Sequence, residues 1–166
     1  MSPDGPQPVV EVQAESALWE ALPGVESAAE AAVFAALKAA NLTCRPDAEL
    51  SVMLADDARV RELNRDWRGK DNATNVLSFP GAEDEDVEDA VLLGDVVLAY
   101  ETVAREAEAE GKSLRDHFTH LVVHGTLHLF GFDHLTAEEA EEMESIERQA
   151  LAGLGIADPY SETSPA

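Results

Sequence analysis

All five histidines of this chain fall between positions 117 and 134, on a stretch patterned as a helix and closed by a glycine. The order is His117, His120, His124 and His128, then Gly131, then His134. Residues four apart share one face of a helix, so His124 and His128 project side by side and can reach one ion. Ser113 opens the helix, which runs to about Phe130. Gly131 lets the chain leave it and turn back, which brings His134 beneath the same point. A helix, a break and a return are thereby fixed in the middle of the fold before any other element is considered.

Three neutral imidazoles leave one tetrahedral position open, the arrangement of a catalytic rather than a structural zinc site. Imidazole also suits nickel, copper and iron. The expected cofactor is therefore one divalent metal ion, Zn2+ first and Ni2+ as the alternative. Histidines that merely pack or cap explain a lone imidazole better than three around a helix-breaking glycine. His120 lies on the same stripe as His124 and either supports the ligands or joins His117 in the core. Asp133 either orients a ligand by accepting its second ring proton or caps the turn. The single cysteine, Cys44, excludes an internal disulfide and a cysteine-based zinc cluster, and suits a reducing compartment.

The remaining pattern alternates strands and helices. Val9–Val12 and Leu50–Leu54 read as strands, and Ser27 to Ala40 as an Ala-rich helix that Asn41 ends. Asp56 or Asp57 caps a helix to about Trp67 with Val60, Leu63 and Trp67 as its apolar stripe. Val76–Phe79, closed by Pro80, is either an edge strand along the metal cleft or an ordinary sheet strand. Leu92–Ala99 is the next strand and Thr102–Glu110 the next helix. Thr136 and Glu139 form a capping box for a last helix with the stripe Met143, Ile146, Ala150 and Leu154 and a Glu-rich exposed face. This order predicts an α+β fold, a small mixed sheet of about four strands packed with helices. The expected organisation is a disordered tail over 1–8, one domain over 9–160 and a second tail over 161–166.

The chain has 166 residues and a formal net charge of −23, from 11 Lys+Arg against 34 Asp+Glu. Such a balance argues against a generic nucleic-acid binder. Its distribution is uneven. Acids crowd Glu83–Asp89, read as a solvated loop, and Glu138–Glu147, whereas Arg59, Arg61, Arg65, Arg68 and Lys70 share a segment with only Glu62 and Asp66. No apolar run approaches the roughly 18 residues of a membrane span, and the first basic residue is Lys38, so a cytoplasmic protein is expected.

The spacing from His124 to His134 is that of the metzincin proteases, except that Gly125 stands where those enzymes carry the general-base glutamate. Peptide hydrolysis by that route is demoted. The sequence resembles the YbeY family of bacterial rRNA maturation factors instead. The likeness rests on Val123-His-Gly-Thr-Leu-His-Leu-Phe-Gly-Phe-Asp-His134, on Leu63-Asn-Arg-Asp-Trp-Arg-Gly-Lys-Asp-Asn-Ala-Thr-Asn-Val-Leu-Ser-Phe-Pro80, on Leu93 to Val96 and on Asp158-Pro-Tyr160. It spans about residues 50–160, and Phe130 and Phe132 replace the family's more usual Leu and Tyr.

The resemblance implies a zincin-like central helix beside a small mixed sheet, with His124, His128 and His134 as metal ligands. It makes Arg68 the counterpart of the family's functionally important arginine. The chemistry agrees, because a planar guanidinium suits bidentate contact to phosphate and to charge developing on it. The alternative is a surface partner for Asp66 or Asp71. Arg59, Arg61, Arg65 and Asn75 are further candidates for substrate contact. The implied function is a single-strand-specific, metal-dependent endoribonuclease for rRNA processing, including the 3′ end of small-subunit rRNA, and ribosome quality control. Its implied partners are single-stranded rRNA and, beyond it, ribosomal proteins or the small ribosomal subunit, with no membrane. A non-catalytic assembly factor and a glutamate-less metallohydrolase are the alternatives.

Overall fold

The computed structural model describes residues 7–81, 90–133 and 135–160. The expected acidic loop at 83–89, the tail over 161–166, most of the tail over 1–8 and the ligand candidate His134 lie outside the described residues.

Strands β1 (Val9–Ala14), β2 (Glu49–Ala55), β3 (Val76–Pro80) and β4 (Leu92–Ala99) form one sheet in the order β1-β2-β4-β3. The first, second and fourth run parallel and β3 pairs antiparallel with β4, so the sheet is mixed and the fold is α+β. Leu50, Val52 and Leu54 alternate along β2 at full burial, as a central strand packed on one face requires. The helices are α1 (Val25–Ala39), α2 (Asp57–Arg68), α3 (Tyr100–Ala109), α4 (Leu114–Leu129) and α5 (Ala137–Gly153).

Helix α1 packs against α4 and α5, and the alanines 28, 29, 32 and 36 on its buried face permit that close approach. Together with Val96, Leu98, Phe118, Val122 and Leu127 this face forms the main core. A smaller cluster of Ala55, Val60, Leu77, Val97 and Ala99 lies under α2. Asp56 caps α2 by accepting from the Arg59 amide at 2.9 Å, and Gly69, at φ 71, closes it. Asp57 and α3 brace each other: the Asp57 amide donates to Glu101, and Thr102 donates to Asp57 through its amide and hydroxyl.

Three expectations are corrected. Trp67 is 72% exposed and is not on the buried stripe of α2. Asn64 turns inward instead and donates to the Asn72 carbonyl at 2.9 Å, tying the loop after α2 to the helix. Leu154 is exposed because α5 ends at Gly153, and Leu151 takes the core position. Glu147, the last acid of the Glu138–Glu147 run on a helix expected to show a Glu-rich exposed face, is wholly buried. A short 3-10 turn over Ala17–Ala21 also buries Trp19, whose indole N–H donates to the Ala55 carbonyl at 2.8 Å.

Candidate active site

Helix α4 projects His117, His120, His124 and His128 along one side, while Phe118, Val122 and Leu129 anchor it in the core. It packs tightly on the sheet at Gly125. A Cβ there would sit 2.7 Å from Val96 Cγ1 and 3.1 Å from Ser78 Oγ. The Ser78 hydroxyl donates to the Gly125 carbonyl at 3.0 Å, which locks β3 against α4. A glutamate at 125 has no space, so the site excludes the metzincin base sterically as well as by sequence.

Between β3, the end of α2 and α4 lies a cavity of about 610 Å³ lined by Arg68, Asn75, Ser78, His124 and His128, with Asp133 and Leu135 also on its wall. β3 is an edge strand of the sheet and forms part of this wall, as its sequence allowed. The Nε2 atoms of His124 and His128 stand 3.0 Å apart. The Nδ1 of His124 is bonded to Glu147 Oε2 at 2.7 Å. Glu147 Oε1 is bonded to His120 Nε2 at 2.6 Å and accepts a short hydrogen bond from the Tyr160 hydroxyl. Burial alone would push the Glu147 carboxyl up. Hydrogen bonds from His120, from His124 and from the Tyr160 hydroxyl more than offset it and hold the group at about 2. Burial, and then the bond to Glu147 and its charge, push the Tyr160 hydroxyl well above its usual range.

An ionised carboxylate only accepts, so both histidines donate to it. His124 then carries its hydrogen on Nδ1 and presents a bare Nε2 toward His128. Two imidazole nitrogens at that separation, one backed by a carboxylate, are of the chemical type that can donate to a metal ion. Among the described residues no group of three or more His, Cys, Asp or Glu side chains converges as ligands would. The third candidate, His134, is outside them.

The arginines divide sharply. Arg59 pairs with Glu62 and Glu15, Arg61 grips Asp71 with two bonds, and Arg65 pairs with Asp66. None of these three lines the cavity. Arg68 does line it, and the two acids it was weighed against as surface partners are held by Arg61 and Arg65. Asn75 is engaged inside the protein, donating to Glu106 and accepting from the Val76 amide. Glu106 also holds His117 at 2.9 Å. A second cavity, of about 300 Å³, lies beyond His124 and is lined by His117, His120, Lys112 and Tyr160.

Glu147 and Tyr160 received no role from the sequence. The signal for Glu147 was its position, four after Met143 and three before Ala150, which places a charge on the buried stripe itself. Tyr160 was legible only as part of the Asp-Pro-Tyr ending.

The family model described as endoribonuclease YbeY matches residues 20–155. The endoribonuclease YbeY of Paramagnetospirillum magneticum is 56% identical over 149 residues, covering 86% of this chain and 89% of that protein. That of Azorhizobium caulinodans is 55% identical over 152 residues, covering 92% and 96%. The solution structure of a Thermotoga maritima protein shares the fold, with TM-score 0.53 at 22% identity over 93% of this chain and 100% of that one. On the extent of these matches, the chain belongs to the endoribonuclease YbeY family.

Proposed function

We propose that this chain is a metal-dependent endoribonuclease that cleaves single-stranded rRNA in the maturation of ribosomal RNA, with His124, His128 and His134 holding one divalent ion. Family membership supports the reaction class. The observation that carries the site is the pair of Nε2 atoms 3.0 Å apart on the wall of the cavity that Arg68 also lines. When bound, the ion supplies Lewis-acid polarisation of a phosphoryl oxygen or a water of lowered pKa. Zinc suits an all-imidazole donor set, with nickel the alternative.

The chain's own groups do the rest. The Arg68 guanidinium takes the scissile phosphate and stabilises the charge that builds on it, in a cavity whose walls exclude part of the surrounding water. Val76 and Leu135 give that cavity apolar surface for a ribose or base, and the Thr74 and Ser78 hydroxyls give it polar contacts. Arg59, Arg61 and Arg65 stand outside, in exposed, solvent-screened ion pairs of little stabilising worth, which a passing RNA backbone can exchange for phosphate. No helix among the described residues is long and apolar enough to cross a membrane. The setting we infer is the cytoplasm, and the acidic surface suits basic ribosomal proteins of the small subunit as further partners.

The test uses metal-loaded protein on single-stranded rRNA fragments, with metal content and RNA end groups read on the same samples. His128→Ala is expected to lose both metal and cleavage. Arg68→Ala should keep its metal and lose about 10²–10³-fold in rate, the scale of one oxyanion-stabilising donor. A cyclic phosphate end assigns the attack to the RNA 2′-OH and a linear end assigns it to water. Equal cleavage by all three proteins overturns the reading and leaves a non-catalytic assembly factor in its place.

A further inference from the structure

We propose that Glu147 is the positioning residue of this site, fixing the His124 ring as the Nδ1–H tautomer so that its Nε2 lone pair is held toward His128. The inference rests on the reading of His124 as a metal ligand and adds what makes that histidine competent as one.

A neutral imidazole has two tautomers, and only the one with a bare Nε2 can ligate through that atom. In solution nothing selects it strongly. Here the choice is imposed from behind the ring. Glu147 is fully buried in α5, and its Oε2 lies 2.7 Å from His124 Nδ1. The other oxygen is occupied by His120 Nε2 at 2.6 Å and by the Tyr160 hydroxyl. A buried charge is tolerated only when its lone pairs are satisfied, and three donors satisfy this one. The same three donors prevent the carboxylate from rotating away. His120 reaches it from α4, one turn before His124, and Tyr160 reaches it from the segment beyond α5. That segment is itself strapped to α5, with Arg148 bonded to Asp158 and lying 5.4 Å from the Tyr160 ring centroid.

A purely structural Glu147 makes a different prediction from a positioning one. Glutamine keeps the volume and still bonds its neighbours, but an amide presents either an oxygen or an NH2 to Nδ1 and therefore serves both His124 tautomers. Tyr160→Phe removes one donor and leaves the bond to His124 in place.

The experiment compares wild type, Glu147→Gln and Tyr160→Phe. Nitrogen-15 NMR of the imidazoles in metal-free protein reads the tautomer, Zn2+ affinity is measured against a chromophoric chelator, and urea unfolding reads the fold. In wild type, His124 is expected as the Nδ1–H form alone. Glu147→Gln should populate both forms and lose about 10–100-fold in Zn2+ affinity, the usual cost of removing a partner behind a ligand. Tyr160→Phe should keep the tautomer and lose less affinity than Glu147→Gln. A wild-type His124 protonated on Nε2 overturns the proposal without any variant, even if Glu147→Gln does not fold. So does a Glu147→Gln protein with the wild-type tautomer and affinity, or a Tyr160→Phe protein as impaired as Glu147→Gln. If wild type itself takes no Zn2+, the metal reading fails, and the tautomer comparison still decides what Glu147 does to His124.

Discussion

Gly125 shows how much one missing side chain can settle. The helix meets the sheet so closely that a single methyl group must displace Val96 or Ser78. Gly125→Ala is therefore expected to lower stability by about 1–3 kcal/mol, the cost of overpacking a filled interior, despite alanine's better helix propensity. Urea denaturation with an unchanged m-value checks it, and an unchanged midpoint contradicts it. Cys44 makes a second prediction at this scale. It is buried, and that burial pushes its thiol up. The thiolate is the reactive form, so raising the pH through the usual thiol range, about 8.5, should leave native Cys44 slow to react with a disulfide reagent. The same titration in urea should show fast reaction, because the unfolded thiol ionises at its ordinary value. Fast native labelling at pH 8.5 contradicts the buried placement.

Among the elements, α5 has the largest duty for its position. It carries Glu147 to the back of the histidine pair, and its start is set by a reciprocal capping box between Thr136 and Glu139. Thr136→Ala is expected to cost about 0.5–2 kcal/mol, measured as a lowered midpoint of unfolding by circular dichroism. Trp67→Ala should cost much less, since that side chain is 72% exposed at the end of α2. Strand and helix identities were legible in the sequence because their apolar periods are regular, as in Leu50, Val52 and Leu54. The helix of histidines and its stop at Gly131 were legible from spacing alone. Trp67 was not, because the buried positions of α2 are Val60 and Asn64, and a polar side chain took the inward place the apolar pattern assigned elsewhere. Glu147 was not, because a carboxylate on an acidic helix looks like surface until the histidines of another helix are seen opposite it. Arg68 could be separated from Arg61 and Arg65 only once their acidic partners were placed in space.

Taken whole, the molecule carries a charge of −23 and sits under its own repulsion. Added NaCl should raise its stability, because screening relieves like charges spread over the surface more than it weakens exposed ion pairs. Urea midpoints of metal-free protein at about 0.01 M and 0.5 M salt check this, the Debye length falling from about 30 Å to less than 8 Å between them. A midpoint that falls with salt would mean that attractive pairs dominate. The tight seam between α4 and β3 has an evolutionary consequence as well. A wall that crowds even a Cβ at Gly125 also stands against the single-substitution route to a protease. Descendants of this architecture that take up new chemistry have to build it from the open rim, where Arg68, Thr74 and Leu135 stand, and the catalytic repertoire of the fold is bounded by its packing before selection acts on its reactivity.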